Sequence, residues 1–542
     1  MNKIRTWGFY NQLGEELPPL VFSNGKTQQS IIEEIIQAFK SNDIVFLKAL
    51  VGSGKSVIAT TICKLMGRGI IVVPVKKLQE QYENDYSAKR YIDLGSGRAR
   101  IKQIKGRGNF KCPSYGGSAS RRDLPCTRKL SKELEETRWN VASTCPMWNP
   151  IYPTPQGGIP LEYQSISGTK YYLKRGSGCE YCDQFESYVN ADIIVMNSAK
   201  WTVETHLGRK PSVAIECIDE SDLFLDQLTL DTSIGETIAR KLGKIGLNIQ
   251  EELSLVLKGK LDPKEFLAWL IKELDYFEDE YASELHSKLS LISQYKEVLE
   301  TRVEGKSVRY FVPYPDLVLK HLLSRSAPKL LFMSATTQAP MVLKEIYNIE
   351  PVFVEGEIKF PGTILHRKTG KEQLINYQKW KSQRVREAFW NCLEEILDSA
   401  SRPILVNVHA YEYLPEQSRG LIPSRDEVRE FQDREIDYFT SGTKDIIFTT
   451  KLDRGIDLPD EKCRAIVLLK YPYPKLTDPV LQAMAKRLGN VAFNRYYEDV
   501  AAREFIQSIG RAVRSKNDFE EFWSPDLRCH IALHELWKGD II

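Results

Sequence analysis

Ile44-Val-Phe-Leu-Lys-Ala-Leu-Val-Gly52-Ser-Gly-Lys-Ser56 decides how this chain is read. A short apolar run, too short for a helix, ends in a glycine-rich turn. The residues beyond it, 56–66, repeat apolar side chains at helical spacing. Strand, loop and helix in that order form the setting in which such a turn binds phosphate. Gly52 and Gly54 let backbone N–H groups approach an anion, and Ser53 lies between them. The helix N-terminus adds partial positive charge. Lys55 reaches toward the outer phosphates and Ser56 toward Mg²⁺. The strict pattern has glycine where Ala49 stands.

Outward from this loop, further Val- and Ile-rich runs read as buried strands: 70–75, 193–197, 213–218 and 330–333, then a second series at 404–408, 446–450 and 465–469. Helical patterns lie between many of them. Strand alternating with helix predicts an α/β protein with two parallel sheets and ligands at the carboxyl ends of the strands. The run 213–218 delivers Asp219 and Glu220. Downstream of a phosphate loop this pair reads as a Mg²⁺-holding carboxylate and a water-orienting one. Gln507-Ser-Ile-Gly-Arg511-Ala-Val-Arg514 places two arginines at helical i, i+3 spacing. They are expected to stabilise the transferring phosphoryl group, so Lys55, Glu220, Arg511 and Arg514 form the expected catalytic set.

Five of ten cysteines, Cys112, Cys126, Cys145, Cys179 and Cys182, crowd into 71 residues rich in Gly, Ser and basic side chains. At 542 residues the chain has ample core material, so they are not needed as staples. The first residues lack an apolar signal segment, and no run is long enough to span a membrane. A reducing compartment follows, where clustered thiols favour metal over disulfide. The net charge of +3 argues against a protein that coats nucleic acid non-specifically, yet it permits a local basic groove. Lys102, Lys105 and Arg107 stand beside Cys112, with Phe110 between them as a base-stacking candidate.

These motifs, in this order, resemble the XPD/DinG iron–sulfur branch of the superfamily 2 DNA helicases. The resemblance is carried by the phosphate loop, Lys105-Gly-Arg-Gly-Asn-Phe-Lys-Cys112, Cys179-Glu-Tyr-Cys182, Asp219-Glu-Ser-Asp222, Ser334-Ala-Thr336, Gly455-Ile-Asp457, Tyr471-Pro-Tyr-Pro474 and the Gln507–Arg514 stretch. It implies two RecA-like parallel-sheet motor domains, with an iron–sulfur domain and a helical arch inserted in the first. The expected boundaries are 1–97, 191–224 and 326–358 for the first motor, 98–190 for the iron–sulfur domain, 225–325 for the arch and 359–542 for the second motor. It implies 5′→3′ movement on single-stranded DNA, with ATP and Mg²⁺ as cofactors and forked duplex as substrate. Gln29, Gly455, Asp457 and Gln507 join the ATP site, and Lys76 and Tyr473 join Arg107 and Phe110 on the DNA path.

A [4Fe-4S] cluster would take Cys112, Cys126, Cys145 and Cys179, with Cys182 as a substitute for one of them. Four thiolates also make a zinc site, and spacing alone does not separate Zn²⁺ from iron–sulfur. Two positions depart from the family: Asp222 where it usually has His, and Val75 where it usually has Thr. Both bear on coupling between ATP and DNA. They motivate a second reading, a DNA-dependent ATPase that remodels nucleoprotein without robust unwinding. No nuclease domain is read in the roughly 45 residues before the first motor strand. The expected protein is a monomer acting in DNA repair or a related process. It is cytoplasmic or nucleoid-associated (nuclear if eukaryotic), with the arch open to a protein partner.

Overall fold

The computed structural model describes residues 5–50, 52–120, 124–126, 144–155, 161–275, 280–360, 362–450, 460–509 and 518–538. The strands of the first series form one parallel sheet. In chain order they are β1 (Ile44–Lys48), β2 (Gly69–Val73), β3 (Ile101–Ile104), β4 (Ile193–Asn197), β5 (Ile215–Asp219), β6 (Lys329–Ser334) and β7 (Phe353–Glu355). Their spatial order is β7-β1-β6-β5-β2-β4-β3. The phosphate-loop strand β1 and the acidic strand β5 therefore flank β6, which ends in Ser334. Successive side chains point to opposite faces. Val45 and Leu47 enter one core with Ile58 and Ile71, while Phe46 enters the other with Val72 and Phe332.

The second sheet is also parallel among its strands β8 (Thr363–His366), β9 (Ile404–Asn407), β10 (Ile446–Thr449), β11 (Ala465–Leu468) and β12 (Phe519–Trp523), in the order β8-β12-β11-β9-β10. The expected α/β class with two parallel sheets is what the chain forms.

The helices that matter for the site are α1 (Gln28–Ala38), α2 (Lys55–Leu65), α3 (Lys76–Glu83), α4 (Ser198–His206), α5 (Ser221–Asp226) and α6 (Pro479–Ile509). Thr27 starts α1 with a reciprocal capping box, its side chain accepting from Ser30 N while the Ser30 hydroxyl accepts from Thr27 N. A π-helical turn, Asn84–Lys89, continues α3. Gly489, at φ 74°, breaks α6 into two kinked segments.

Two refinements concern the segments outside the sheets. Ile101–Ile104 pairs with β4 as the edge strand of the first sheet, within the stretch 98–190 expected as a separate domain. Residues 225–325 hold helices at Glu236–Lys244, Gln250–Leu257, Pro263–Leu274 and Glu280–Ser293. They also hold a three-stranded antiparallel sheet that includes Glu300–Glu304, where the arch was expected to be helical. Charge spacing on a hairpin edge mimics a helical stripe over so few residues. This insertion leans on α6: Arg309 bridges Asp231 and Asp478, and Arg487 reaches Asp316 at 2.8 Å.

The cysteine segment is joined to the motor by a buried ionic cluster. Glu204 on α4 is fully buried and accepts from Lys200 Nζ at 2.8 Å and Arg209 Nη2 at 2.6 Å. Burial alone would raise its carboxyl, but Arg209 and Lys200 prevail and bring it down to about 2. A depressed folded-state value means stability that is complete above the ordinary carboxyl range and lost as pH falls toward 2. Glu204→Gln is expected to cost about 3 kcal/mol at neutral pH and to flatten the acid limb of stability below pH ~4.5. Urea titrations from neutral pH downward check both effects, and an unchanged acid limb would refute the assignment.

Candidate nucleotide site and cysteine cavity

Gly52 and Gly54 both adopt left-handed backbone, at φ 84° and 75°, where an L side chain is strained. Gly54 caps α2 and hands the chain to Lys55 and Ser56. The Lys55 ammonium donates to the Ala49 and Leu50 carbonyls at 2.9 and 3.4 Å, folded over the loop. Ala49 is accommodated by a glycine from another strand end. A Cβ on Gly356 would lie 2.9 Å from the Ala49 methyl, so the bulk missing at one position is present at the other.

Gln28, not Gln29, faces this loop. Its Nε2 donates to the Ser53 carbonyl at 3.0 Å, and its Oε1 accepts from Leu20 N. Gln29, expected at the adenine, lies one helical step away and donates to Thr6 Oγ1. A rotation of about 100° per residue separates the two faces, and no periodicity call distinguishes two adjacent glutamines. Gln28 was missed for that reason.

Asp219 ends β5 beside the loop. Its Oδ1 accepts from Glu220 N and its Oδ2 from Tyr82 Oη, each at 3.1 Å. Burial pushes its carboxyl up from the ordinary range, against the pull of Lys55 and Tyr82. Glu220 holds φ 50°, ψ 51°. A non-glycine residue there costs roughly 1–3 kcal/mol, the kind of strain that gathers at reactive positions.

Asp222 is fully buried and gathers donors from both motor domains. Ser334 Oγ donates at 2.8 Å, Thr336 Oγ1 at 2.9 Å and Gln507 Nε2 at 2.7 Å. Arg503, one turn before Gln507, pairs with Asp226 at 2.6 Å and Asp499 at 2.8 Å. Gln507 thus joins the acidic strand end and the Ser334–Thr336 turn. Gly455, Asp457, Arg511 and Arg514 lie outside the described residues.

All five crowded cysteines line one cavity with Leu124, Met147, Trp148, Tyr181 and Arg107. None forms a disulfide. The Cys182 thiol is hydrogen-bonded to Cys179 and lowers its pKa to about 6. As placed, no three His, Cys, Asp or Glu side chains among the described residues are arranged to hold a metal ion. The donor chemistry nonetheless fits a thiophilic centre: five soft ligands share one largely apolar pocket. Arg107 turns inward, donating to Cys126 Sγ at 3.0 Å and lying 4.5 Å from the Tyr181 ring. Phe110 packs edge-on against the same ring. Arg107 lines the cavity and Phe110 packs on its Tyr181 wall, and both side chains, expected on a DNA path, stay half-buried. Lys76 is exposed at the start of α3, and Tyr473 stacks on Tyr497 at 5.2 Å.

A second cavity, of about 400 Å³, opens at the carboxyl ends of β9 and β10. His409, Arg425, Arg429 and Lys475 line it with Tyr411 and Thr450. Arg425 and Arg429 share one face of the helix Arg425–Thr440, while His409, Tyr411, Thr450 and Lys475 reach the cavity from other segments, which no local pattern joins.

The architecture is two parallel-sheet α/β domains, the first with a glycine-rich loop at the N-terminus of a helix. Residues 393–530 match a family model described as the helicase C-terminal domain. A curated relative, the ATP-dependent DNA helicase CHL1 of Saccharomyces cerevisiae, is 29% identical over 91 residues, covering 14% of this chain and 11% of that protein. The ATP-dependent DNA helicase DinG of Photobacterium profundum is 30% identical over 82 residues, 14% of this chain and 12% of that protein. In each case the match spans about a tenth of the relative. A solved XPD helicase superposes with TM-score 0.67 at 16% identity, covering 95% of this chain and 98% of that one. Xpd4 of S. tokodaii superposes with TM-score 0.51 at 14% identity, covering 94% and 97%. In fold the chain is similar to these XPD structures over nearly its whole length.

Gln28→Ala is expected to weaken binding of a fluorescent ATP analogue about tenfold, by the loss of a loop-fixing hydrogen bond, while Gln29→Ala leaves it unchanged. Equal effects of the two substitutions would reject the assignment of Gln28.

Proposed function

We propose that this chain is an ATP-dependent DNA helicase that moves 5′→3′ along single-stranded DNA and parts a forked duplex. The observation that carries the reading is the bond from Gln507 to Asp222. It ties the second motor to the residue two places beyond the acidic pair, so opening or closing of the cleft is felt at the nucleotide site.

In this reading Lys55, freed from its loop carbonyls, meets the outer phosphates. Ser56 and Asp219 hold Mg²⁺, which when bound neutralises charge developing on the triphosphate. Glu220 orients the attacking water. Arg511 and Arg514 supply positive charge from the second motor. Gln507 and Arg503 keep that motor in register with Asp222 and Asp226. Lys76, Tyr473 and the cations of the second-domain cavity contact the phosphates and bases of a single strand. The cysteine cavity holds a [4Fe-4S] cluster through Cys112, Cys126, Cys145 and Cys179, with Cys182 in reserve and Zn²⁺ the alternative occupant. A metal there would staple the segment that splits the fork. Among the described residues no helix is long and apolar enough to cross a membrane. The protein acts as a monomer, and the insertion at 225–325 offers a surface to a protein partner.

Lys55→Ala is expected to lower DNA-stimulated ATP turnover about 10²–10³-fold. Survival of that turnover would put the nucleotide site elsewhere. Forks carrying a 5′ or a 3′ tail test direction: unwinding should require the 5′ tail, and preference for the 3′ tail would overturn the polarity. Iron and zinc assayed on anaerobically purified protein and on Cys112→Ser distinguish the cavity's occupants. Iron with matching sulfide, lost in the variant, is the expected result. ATP turnover without unwinding of either fork would favour the remodelling ATPase.

A further inference from the structure

Two tyrosines that no motif picked out face the groups assigned to Mg²⁺. Tyr82 ends α3, and Tyr86 sits in the π-helical turn that follows. π-Helical turns are rare and recur at functional sites. Both side chains are buried, 3% and 7% exposed, with ring centroids 5.8 Å apart. The Tyr82 hydroxyl donates to Asp219 Oδ2 at 3.1 Å. The Ser56 side chain faces the Tyr86 hydroxyl and opposes the rise that burial imposes on its pKa. The rings themselves pack in an apolar core with Phe9, where phenylalanine would serve equally well for burial. Only the hydroxyls require tyrosine, and each faces a different one of the two groups placed at the metal.

The same helix starts at the DNA side. Lys76 and Lys77 are exposed at its first turn. Its middle is fixed to the sheet, for Gln79 Nε2 donates to the Ile104 carbonyl at 2.8 Å and the Val195 carbonyl at 3.0 Å. Glu83 accepts from Gln103 on β3. A helix held in this way moves as a body, so a shift at Lys76 reaches Tyr82.

We propose that Tyr82 and Tyr86 are positioning residues for Mg²⁺. They fix the Asp219 carboxylate and the Ser56 hydroxyl in their metal-holding orientation, and they make that orientation depend on whether a polyanionic strand occupies the Lys76 end of α3. The inference rests on the ATPase reading above. The variants are Tyr82→Phe and Tyr86→Phe, which keep the rings, with Lys55→Ala as the control for the reading itself.

Three quantities are measured on the full chain: binding of a fluorescent non-hydrolysable ATP analogue across a Mg²⁺ titration, the same binding in EDTA, and stimulation of ATP turnover by oligo(dT). Each phenylalanine variant should raise the Mg²⁺ concentration for half-maximal binding about tenfold and leave binding in EDTA unchanged. Stimulation by oligo(dT) should fall with it. An unmoved Mg²⁺ midpoint in both variants overturns the proposal. A moved midpoint with full stimulation overturns the dependence on the strand and retains the metal-positioning role. Normal analogue binding by Lys55→Ala would instead sink the ATPase reading, which separates the two failures.

Discussion

Asp222 has its carboxylate wholly out of water. A buried charge is tolerated only when it is hydrogen-bonded and paired, and removing one partner typically costs 3–5 kcal/mol. Its partners come from two distant parts of the chain: the Ser334–Thr336 turn and the α6 helix with Gln507 and, at 3.9 Å, Arg503. The requirement for those donors sets how the second motor sits against the first. The strained Glu220 lies two residues before Asp222 in the same turn. The Asp222 carboxylate carries a bond between the two sheet domains.

A second set of constraints ties the cysteine cavity to the same motor. Arg107 runs from Cys126 to Tyr181, and Tyr181 packs against Phe185. Lys200 and Arg209 lie over Phe185 and hold Glu204 on α4, which begins where β4 ends. Aromatic rings and buried charges thus connect the cavity wall to the carboxyl edge of the sheet. Packed contacts of this sort transmit displacement because close-packed interiors yield little. The second insertion makes its own attachment through Arg309 and Arg487, so it travels with α6.

Local chemistry was legible where one residue type has one use. The glycines at 52 and 54, Lys55, and Asp219 at a strand end could be read because strand, loop and helix are each encoded within a dozen neighbouring residues. Parallel strands buried on both faces announce themselves as Val and Ile runs. The choice between Gln28 and Gln29 could not be read, since both fit the capped start of α1 and only the docking of that helix selects one. For Arg107 and Phe110 a sequence displays charge and ring but not direction, and only packing shows that each also touches the Tyr181 ring.

By itself the sequence determined the two parallel sheets, the phosphate loop, the acidic strand end and the gathering of five thiols, because these depend on periodicity and short spacing. Tertiary structure alone decided which side chains meet: Asp222 with Gln507, Tyr82 with Asp219, Ala49 with Gly356, and Lys475 with two arginines and His409 around one second-domain cavity. Those pairs are separated by tens to hundreds of residues. Their contact is set by how sheets and helices pack, which no local pattern records.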